Sequence, residues 1–300
     1  MTSLPAEILL EIFKAACTDD GSTGRALATT SRLFHHLSKE FWFQSIAATG
    51  ARQLKDLAVI LTNTPPRFRR VRHLFLSNVL ECSSDKKQCR MFHLKLREFW
   101  EYEAEASAAF IHLLQIVSPT LETLHIVSDI PRTSMLIPIS LPRLVSMTMT
   151  GPTHIYINSN DNLPIFPALQ HLSLVCFTEY PPELFEDISR QAPSLTHLFL
   201  SPERPSLHLA YDLTRAVNPA FLEAFEPLPC LSSVERIYIQ PGPKPKPERN
   251  FWTQIAQQYM LAALYKLVEV DRRLVIVEGS QDNVSGREDA VWQQDSPVFA

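Results

Sequence analysis

The chain has 300 residues, of which 45% are apolar and 20% charged, and its formal net charge is −4. This is an ordinary globular balance, enough for one large domain or two smaller ones, and its acidity argues against a global basic field for nucleic acid. Only 7 glycines accompany 23 prolines, and neither G-x-G-x-x-G nor G-x-x-x-x-G-K occurs, which excludes nucleotide chemistry by those routes.

The first predicted helix carries more apolar surface than a soluble helix normally needs. Residues 3–13, SLPAEILLEIF, spread their large apolar side chains over an arc roughly twice the usual 100° or so. The segment is too short and too charged to cross a bilayer, and it lacks the features of a signal peptide. Either the helix is buried on two sides within its own domain, or one side is left for a partner.

The pattern of residues 1–63 is helical. A predicted turn at 19–23, DDGST, precedes residues 25–47, RALATTSRLFHHLSKEFWFQSIA, whose apolar residues recur near helical spacing. Residues 51–61, ARQLKDLAVIL, predict another amphipathic helix, which the prolines at 65 and 66 end.

From residue 71 a short motif recurs with apolar residues at its first, fourth and sixth positions. Successive copies start 50, 23, 25, 26 and 39 residues apart, and the three shorter steps match the period of leucine-rich repeats, about 20–29 residues. The motif also matches the L-x-x-L-x-L core of that family. The six copies are VRHLFL (71–76), LETLHI (121–126), LVSMTM (144–149), LQHLSL (169–174), LTHLFL (195–200) and VERIYI (234–239).

The six motifs predict short parallel strands with helices or loops on the convex side. Because side chains alternate along a strand, the fourth and sixth positions should point inward and the residues between them toward the opposite, concave face. The mixture of aromatic, histidine and arginine side chains on that face is typical of a protein-binding surface, although a merely solvated face is the alternative. We expect a target to contact His73, Phe75, His125, His171, His197, Phe199, Arg236 and Tyr238.

The remaining segments fill the longer steps and the end of the chain. Helices are predicted at 97–117, 218–225 and 251–270, with a last strand at 272–277. The proline-rich segment 241–250 is a stiff connector, and the polar residues 278–300 predict a mobile tail.

The opening stretch resembles the start of an F-box. L-P-x-E-I-L-x-x-I-F begins at Leu4, S-R-L-F follows at 31–34, then Leu37, and Phe41-Trp42 closes the match. The resemblance covers about 45 residues, and the layout is similar to that of fungal F-box proteins with irregular leucine-rich repeats. It implies an α/β chain with four parts: a three-helix F-box (1–48), a connecting helix (49–63), an irregular leucine-rich-repeat solenoid with a parallel sheet and convex helices (64–277), and a polar tail (278–300).

F-boxes dock on the Skp adaptor of cullin–RING ubiquitin ligases. The resemblance therefore implies a non-catalytic, intracellular substrate-recognition subunit of an SCF-type ligase, without a cofactor, nucleic-acid partner or membrane. The five scattered cysteines agree with reduced thiols inside the cell. The implied adaptor contacts are Leu4, Pro5, Ile8, Leu9, Ile12, Phe13, Leu33, Phe34, Leu37 and Trp42.

Two other functions stay open from the sequence. One is a binding scaffold that keeps the repeats but joins no ligase, and the other is an α/β enzyme whose strands only mimic repeats. Metal sites have little support, since Cys82, Cys89 and His93 lack zinc-like spacing and a fourth ligand, and His171 with His197 makes only a pair. The arginine-rich stretch RFRRVR (67–72) is interpreted as a solvated lead-in to the first repeat strand, with phosphate or acidic-peptide binding as the alternative.

Overall fold

The protein is α/β, and its contacts divide it into two units, with the boundary between Leu124 and His125. Helices and parallel strands occur in both units. The computed structural model describes residues 4–77, 96–127, 134–136, 139–151, 154–156, 164–178, 183–217, 231, 233–242 and 251–277.

The first unit begins with three helices and then alternates strands with helices. Strand β1 pairs in parallel with β2, and helices α4 and α5 pack against each other. The elements are α1 (Ala6–Ala16), α2 (Ser22–Thr30), α3 (Arg32–Ser38), a 3-10 turn (Lys39–Phe41), β1 (Ser45–Thr49), α4 (Gly50–Asn63), β2 (His73–Ser77), α5 (Leu96–Val117) and β3 (Thr123–Val127), which leads into the second unit.

The second unit has a parallel sheet whose strands lie in the order β5-β7-β8-β9-β10, and a separate pair formed by β4 and β6. Helix α6 packs on α7, α7 on α8, and α8 on β10. The elements are β4 (Ser134–Leu136), β5 (Ser146–Thr150), β6 (His154–Tyr156), β7 (His171–Phe177), α6 (Leu184–Gln191), β8 (His197–Pro202), α7 (Leu207–Val217), β9 (Arg236–Ile239), α8 (Phe251–Val270) and β10 (Leu274–Ile276).

All six sequence motifs form strands, each beginning at the motif's third residue. The first, fourth and sixth positions are buried in every copy, which confirms the predicted alternation. These core residues are Val71, Leu74, Leu76, Leu121, Leu124, Ile126, Leu144, Met147, Met149, Leu169, Leu172, Leu174, Leu195, Leu198, Leu200, Val234, Ile237 and Ile239.

A shared hydrogen-bond pattern sets the register where the strands begin. The carbonyl at a motif's second position accepts the amides of the second and third residues of the next motif, as Thr196 O does from Glu235 N and Arg236 N at 2.8 and 3.1 Å. Gln170 O accepts from Thr196 and His197 in the same way, at 3.0 and 2.9 Å. The third residues of neighbouring motifs, which begin the strands, therefore stand side by side.

The sequence prediction is wrong at residues 45–49, which form strand β1 rather than helix. Gln44 O accepts the amides of Arg72 and His73 at 2.8 and 3.0 Å, as a motif's second residue does elsewhere. Residues 43–48, FQSIAA, are apolar at the same three positions, of which Ala48 is buried and Phe43 and Ile46 are half-buried, so the strand shares the register of the motifs and only part of their burial. Pairing with β2 overrides the local helical spacing.

Two further predicted helices and the last strand agree with the structure. Helix α5 covers the predicted 97–117, α8 coincides with 251–270, and β10 lies within 272–277. Helices α6 and α7 and the β4–β6 pair were not predicted. Residues 218–225 and 278–300, and the trio Cys82, Cys89 and His93, lie outside the described residues.

Within the part of the chain that the structure describes, no helix combines the length and apolar character that a membrane crossing requires.

His125, at the start of the second unit, predicts a loss of stability in acid. Burial lowers the pKa of this imidazole to about 4, whereas an unfolded histidine titrates near about 6.5. As the pH falls from about 6.5 to about 4, the unfolded chain binds this proton and the folded chain does not, so the free energy of unfolding should decrease by up to about 3 kcal/mol.

Urea denaturation of the wild-type protein and of His125→Gln across this pH range measures the effect. The variant should lose less stability in acid than the wild-type protein does. The matched control His112→Gln changes an exposed histidine on α5 and should retain the wild-type pH dependence. If the free energy of unfolding depends on pH equally in the wild-type protein and in His125→Gln, the lowered pKa of His125 is contradicted.

Candidate functional site

Helix α1 has one side inside its unit and one side in solvent. Leu9 and Phe13 are only 9% and 2% exposed, whereas Ile8 and Ile12 are 49% and 47% exposed. Leu4, just before the helix, is 56% exposed and continues the same row at four-residue spacing. We call Leu4, Ile8 and Ile12 the α1 stripe. Among the described residues, none covers this part of the apolar surplus fully.

The buried side of α1 packs on α3. The rings of Phe13 and Phe34 meet edge to face with centroids 5.1 Å apart. Leu9 and Phe13, two of the expected adaptor contacts, are both buried in this chain. Leu33 on α3 is 56% exposed, and Pro5 is exposed as well. Phe34, Leu37 and Trp42 are half-buried, so the predicted contact residues divide between core and surface.

Polar contacts fix the ends of these helices. The hydroxyl of Ser31 accepts a hydrogen bond from the Phe34 amide at 3.1 Å and caps α3. This cap explains why a serine suits the first position of the S-R-L-F motif. The indole of Trp42 donates to Ser38 Oγ at 3.0 Å, and its ring contacts His35 with centroids 4.9 Å apart. Trp42 is therefore held in one orientation.

The turn before α2 is organised by Asp19. Its carboxylate accepts the amides of Gly21 and Thr23, both at 2.9 Å, and the hydroxyls of Ser22 and Thr23 at 2.7 and 2.6 Å. Burial alone would raise the pKa of Asp19, but these hydrogen bonds outweigh it and hold the pKa below its usual value. The predicted turn at 19–23 is thus a compact start for α2.

Side chains from the region around β1 secure the end of α1. Gln44 Nε2 donates to the carbonyls of Lys14 and Cys17 at 2.8 and 2.9 Å, and Ser45 Oγ donates to Cys17 O at 2.6 Å. Burial, helped by the Asp19 charge, raises the pKa of the Cys17 thiol to about 11. This thiol is therefore protonated and unreactive at neutral pH.

The arginine-rich stretch at 67–72 makes structural contacts at three of its four arginines. Arg67 lies over the Phe68 ring at 4.4 Å, Arg69 Nη1 donates to Leu61 O at 3.5 Å, and Arg72 pairs with Glu122 at 2.6 Å. These contacts agree with a lead-in to β2.

The outward positions of the second unit form two rows across the sheet. Register pairs align Ser146, His171, His197 and Arg236 in one row, and Thr148, Ser173, Phe199 and Tyr238 in the next. This is the alignment that the motifs predict for these strands. In the first unit, Thr123 Oγ1 lies 3.2 Å from His73 Nδ1, and Phe75 is half-buried on the same strand as His73.

Three rings lie close together in the second unit. The centroids of His171 and His197 are 5.0 Å apart, and those of His197 and Tyr238 are 6.4 Å apart with planes inclined by only 12°. Burial and the neighbouring His197 lower the pKa of His171. We call His171, His197, Tyr238 and the adjoining Phe199 the ring shelf.

The hydroxyl of Thr196 lies beside the His197 ring. Thr196 Oγ1 donates to Gln170 O at 3.1 Å and lies 2.9 Å from His197 Nδ1, which assigns the proton of a neutral His197 to Nδ1. Nowhere among the described residues do three His, Cys, Asp or Glu side chains group as metal ligands would. The ring shelf therefore offers stacking surfaces and polar edges.

The structure adds one feature that the sequence argument missed. Arg236 donates through Nη1 to Arg272 O at 3.4 Å, and both arginines are exposed. Arg273 is instead neutralised by Asp271, with hydrogen bonds of 2.7 to 3.1 Å. The D-R-R triplet at 271–273, which overlaps the start of the last predicted strand, is the sequence signal that could have revealed this basic end.

The sequence matches no protein-family model, and no curated protein matches it significantly. The functional argument therefore depends on the residues and geometry of the chain itself.

Gly21 and Gly24 form a matched pair for testing the Asp19 turn. Gly21 has φ +90°, and a Cβ there would lie 2.8 Å from Ser45 O, whereas a Cβ at Gly24 would meet only ordinary contacts of 3.5 Å or more. Gly21→Ala should therefore cost about 1–3 kcal/mol of stability. Gly24→Ala, inside α2, should be neutral or stabilising by up to about 1 kcal/mol.

Thermal denaturation of both variants measures the difference. The melting temperature should fall for Gly21→Ala alone. Equal melting temperatures for the two variants would show that the turn tolerates a side chain at residue 21 and would refute its described conformation.

Proposed function

We propose that the chain is the substrate-recognition subunit of an SCF-type ubiquitin ligase. In this proposal α1, α2 and α3 form an F-box that docks on a Skp-type adaptor, and the outward sheet face of an irregular leucine-rich-repeat region binds the target. The F-box motifs at residues 4–13, 31–34 and 42 and the six repeated strand motifs support this assignment.

The exposed α1 stripe is the observation that carries the proposal. Leu9 and Phe13 already anchor α1, so Leu4, Ile8 and Ile12 are not needed to attach the helix to its own unit. Full burial of an Ile or Leu contributes roughly 1.5–3 kcal/mol. Covering the half-exposed stripe and Leu33 thus supplies several kcal/mol, from which the cost of association is subtracted.

The proposed mechanism is proximity rather than chemistry in this chain. Ubiquitin transfer belongs to the other ligase subunits, and this subunit raises the effective concentration of the target beside them. No cofactor enters the proposal. A cytoplasmic or nuclear location follows from the proposed partners, and the described cysteines, Cys17 and Cys176, are free thiols. The alternatives of a scaffold outside a ligase and of an α/β enzyme differ from this proposal in adaptor binding.

The test replaces the exposed apolar side chains of α1 by charged ones. Ile8→Asp combined with Ile12→Asp should weaken binding of a recombinant Skp-type adaptor by about a hundredfold, since two carboxylates would need to be desolvated in the contact. The matched control is Val59→Asp with Ile60→Asp, which changes two residues of α4 in the same unit that are 59% and 50% exposed.

Calorimetry with the full chain measures adaptor affinity, and circular dichroism checks that each variant is folded. Wild-type and control chains should bind equally well. Lack of adaptor binding by a folded wild-type chain would contradict the ligase proposal and favour the scaffold or the enzyme. Equal loss in both double variants would show that α1 is not the docking helix.

A further inference from the structure

We propose that the ring shelf of the second unit and the arginines beside it bind an extended acidic segment of a partner protein. The segment carries an Asp or Glu two or three residues from an aromatic or proline ring. This inference rests on the proposed function only in taking the sheet face as the target surface, and it does not require adaptor binding.

The first step is the shape of the surface. His171, His197 and Tyr238 span three neighbouring strands, and the near-parallel planes of His197 and Tyr238 present stacked rings. Flat rings offer large contact area at little entropic cost, and a proline or aromatic ring stacks readily on them. A ring of the partner therefore fits over this part of the face.

The second step is the charge of the same face. Of the described residues in the two outward rows, none is a carboxylate, and Arg236 is the one permanent charge. Arg272, just before β10, is exposed as well, and its backbone carbonyl accepts a hydrogen bond from Arg236 Nη1 at 3.4 Å. Asp271 is occupied by Arg273, and that hydrogen bonding lowers the pKa of Asp271. An anionic group thus fits the β9–β10 end of the rows.

The third step is the spacing. Parallel strands lie about 4.8 Å apart, so Arg236 on β9 is about 10 Å from His171 on β7. An extended segment advances about 3.3 Å per residue and covers that span in about three residues. A segment lying across the strands therefore reaches the arginines with its carboxylate while its ring lies on the histidines.

The charges favour an acidic peptide over a nucleic acid. Two exposed arginines at one end of a ring shelf do not make the row of cations that tracks a phosphate backbone. A single carboxylate, in contrast, pairs well with a guanidinium, and hydrogen bonds to charged groups contribute roughly 1.5–3 kcal/mol.

The experiment selects 12-residue peptides from a random display library on the immobilised full chain. Selected peptides should be enriched in Asp or Glu two or three residues from Phe, Tyr, Trp or Pro. Arg236→Glu combined with Arg272→Glu should weaken the binding of fluorescein-labelled acidic peptides by at least about tenfold. Peptides selected on this double variant should be enriched in Lys and Arg. The control Arg204→Glu changes an exposed arginine just after β8 and should select the same peptides as the wild-type chain.

The outcomes separate this inference from the ligase proposal. Peptides without acidic enrichment, or acidic peptides that bind the double variant as tightly as the wild-type chain, would overturn it. Adaptor affinity measured on the same preparations reports on the F-box alone. A chain that selects acidic peptides but does not bind the adaptor would refute only the ligase proposal.

Discussion

The strand register is the constraint on which the rest of the structure depends. The second carbonyls of four motifs, those of Arg72, Val145, Gln170 and Thr196, each accept the amides of the second and third residues of the next motif, and this aligns equivalent residues side by side. Once the strands are in register, alternation sends the first, fourth and sixth positions into the core and the residues between them to the opposite face. A slip of one residue would bury His171 and His197 and expose Leu172 and Leu198.

The same constraint links the core to the candidate binding surface. The ring shelf exists because histidine, phenylalanine and tyrosine occupy outward positions of aligned strands, and the basic end exists because Arg236 stands in the same row. Stability and binding are thus assigned to alternate residues of the same short strands. Changes at outward positions can therefore alter this surface while the apolar core stays intact.

Much of the architecture could be predicted from the sequence, because an apolar pattern at positions one, four and six identifies a strand with one buried face. The strand at 45–49 was missed because FQSIAA also fits helical spacing, and only its pairing with β2 decides between the two. The sequence also did not reveal which side of α1 is buried and which is exposed. An apolar arc of that width does not say which side packs, and the contact of Phe13 with Phe34 settles it. Arg272 escaped notice because it precedes a strand outside the six motifs.

Helix α1 joins the two parts of the functional account, since its inner side stabilises the unit and its outer side is proposed to recruit the ligase. Photo-crosslinking tests this directly, with a benzophenone amino acid placed at residue 12 of the full chain in cells. The account predicts a covalent adduct with a Skp-type adaptor, identified by mass spectrometry. Crosslinks that form only within the chain itself would show that its own residues cover this side of α1, and would contradict the account.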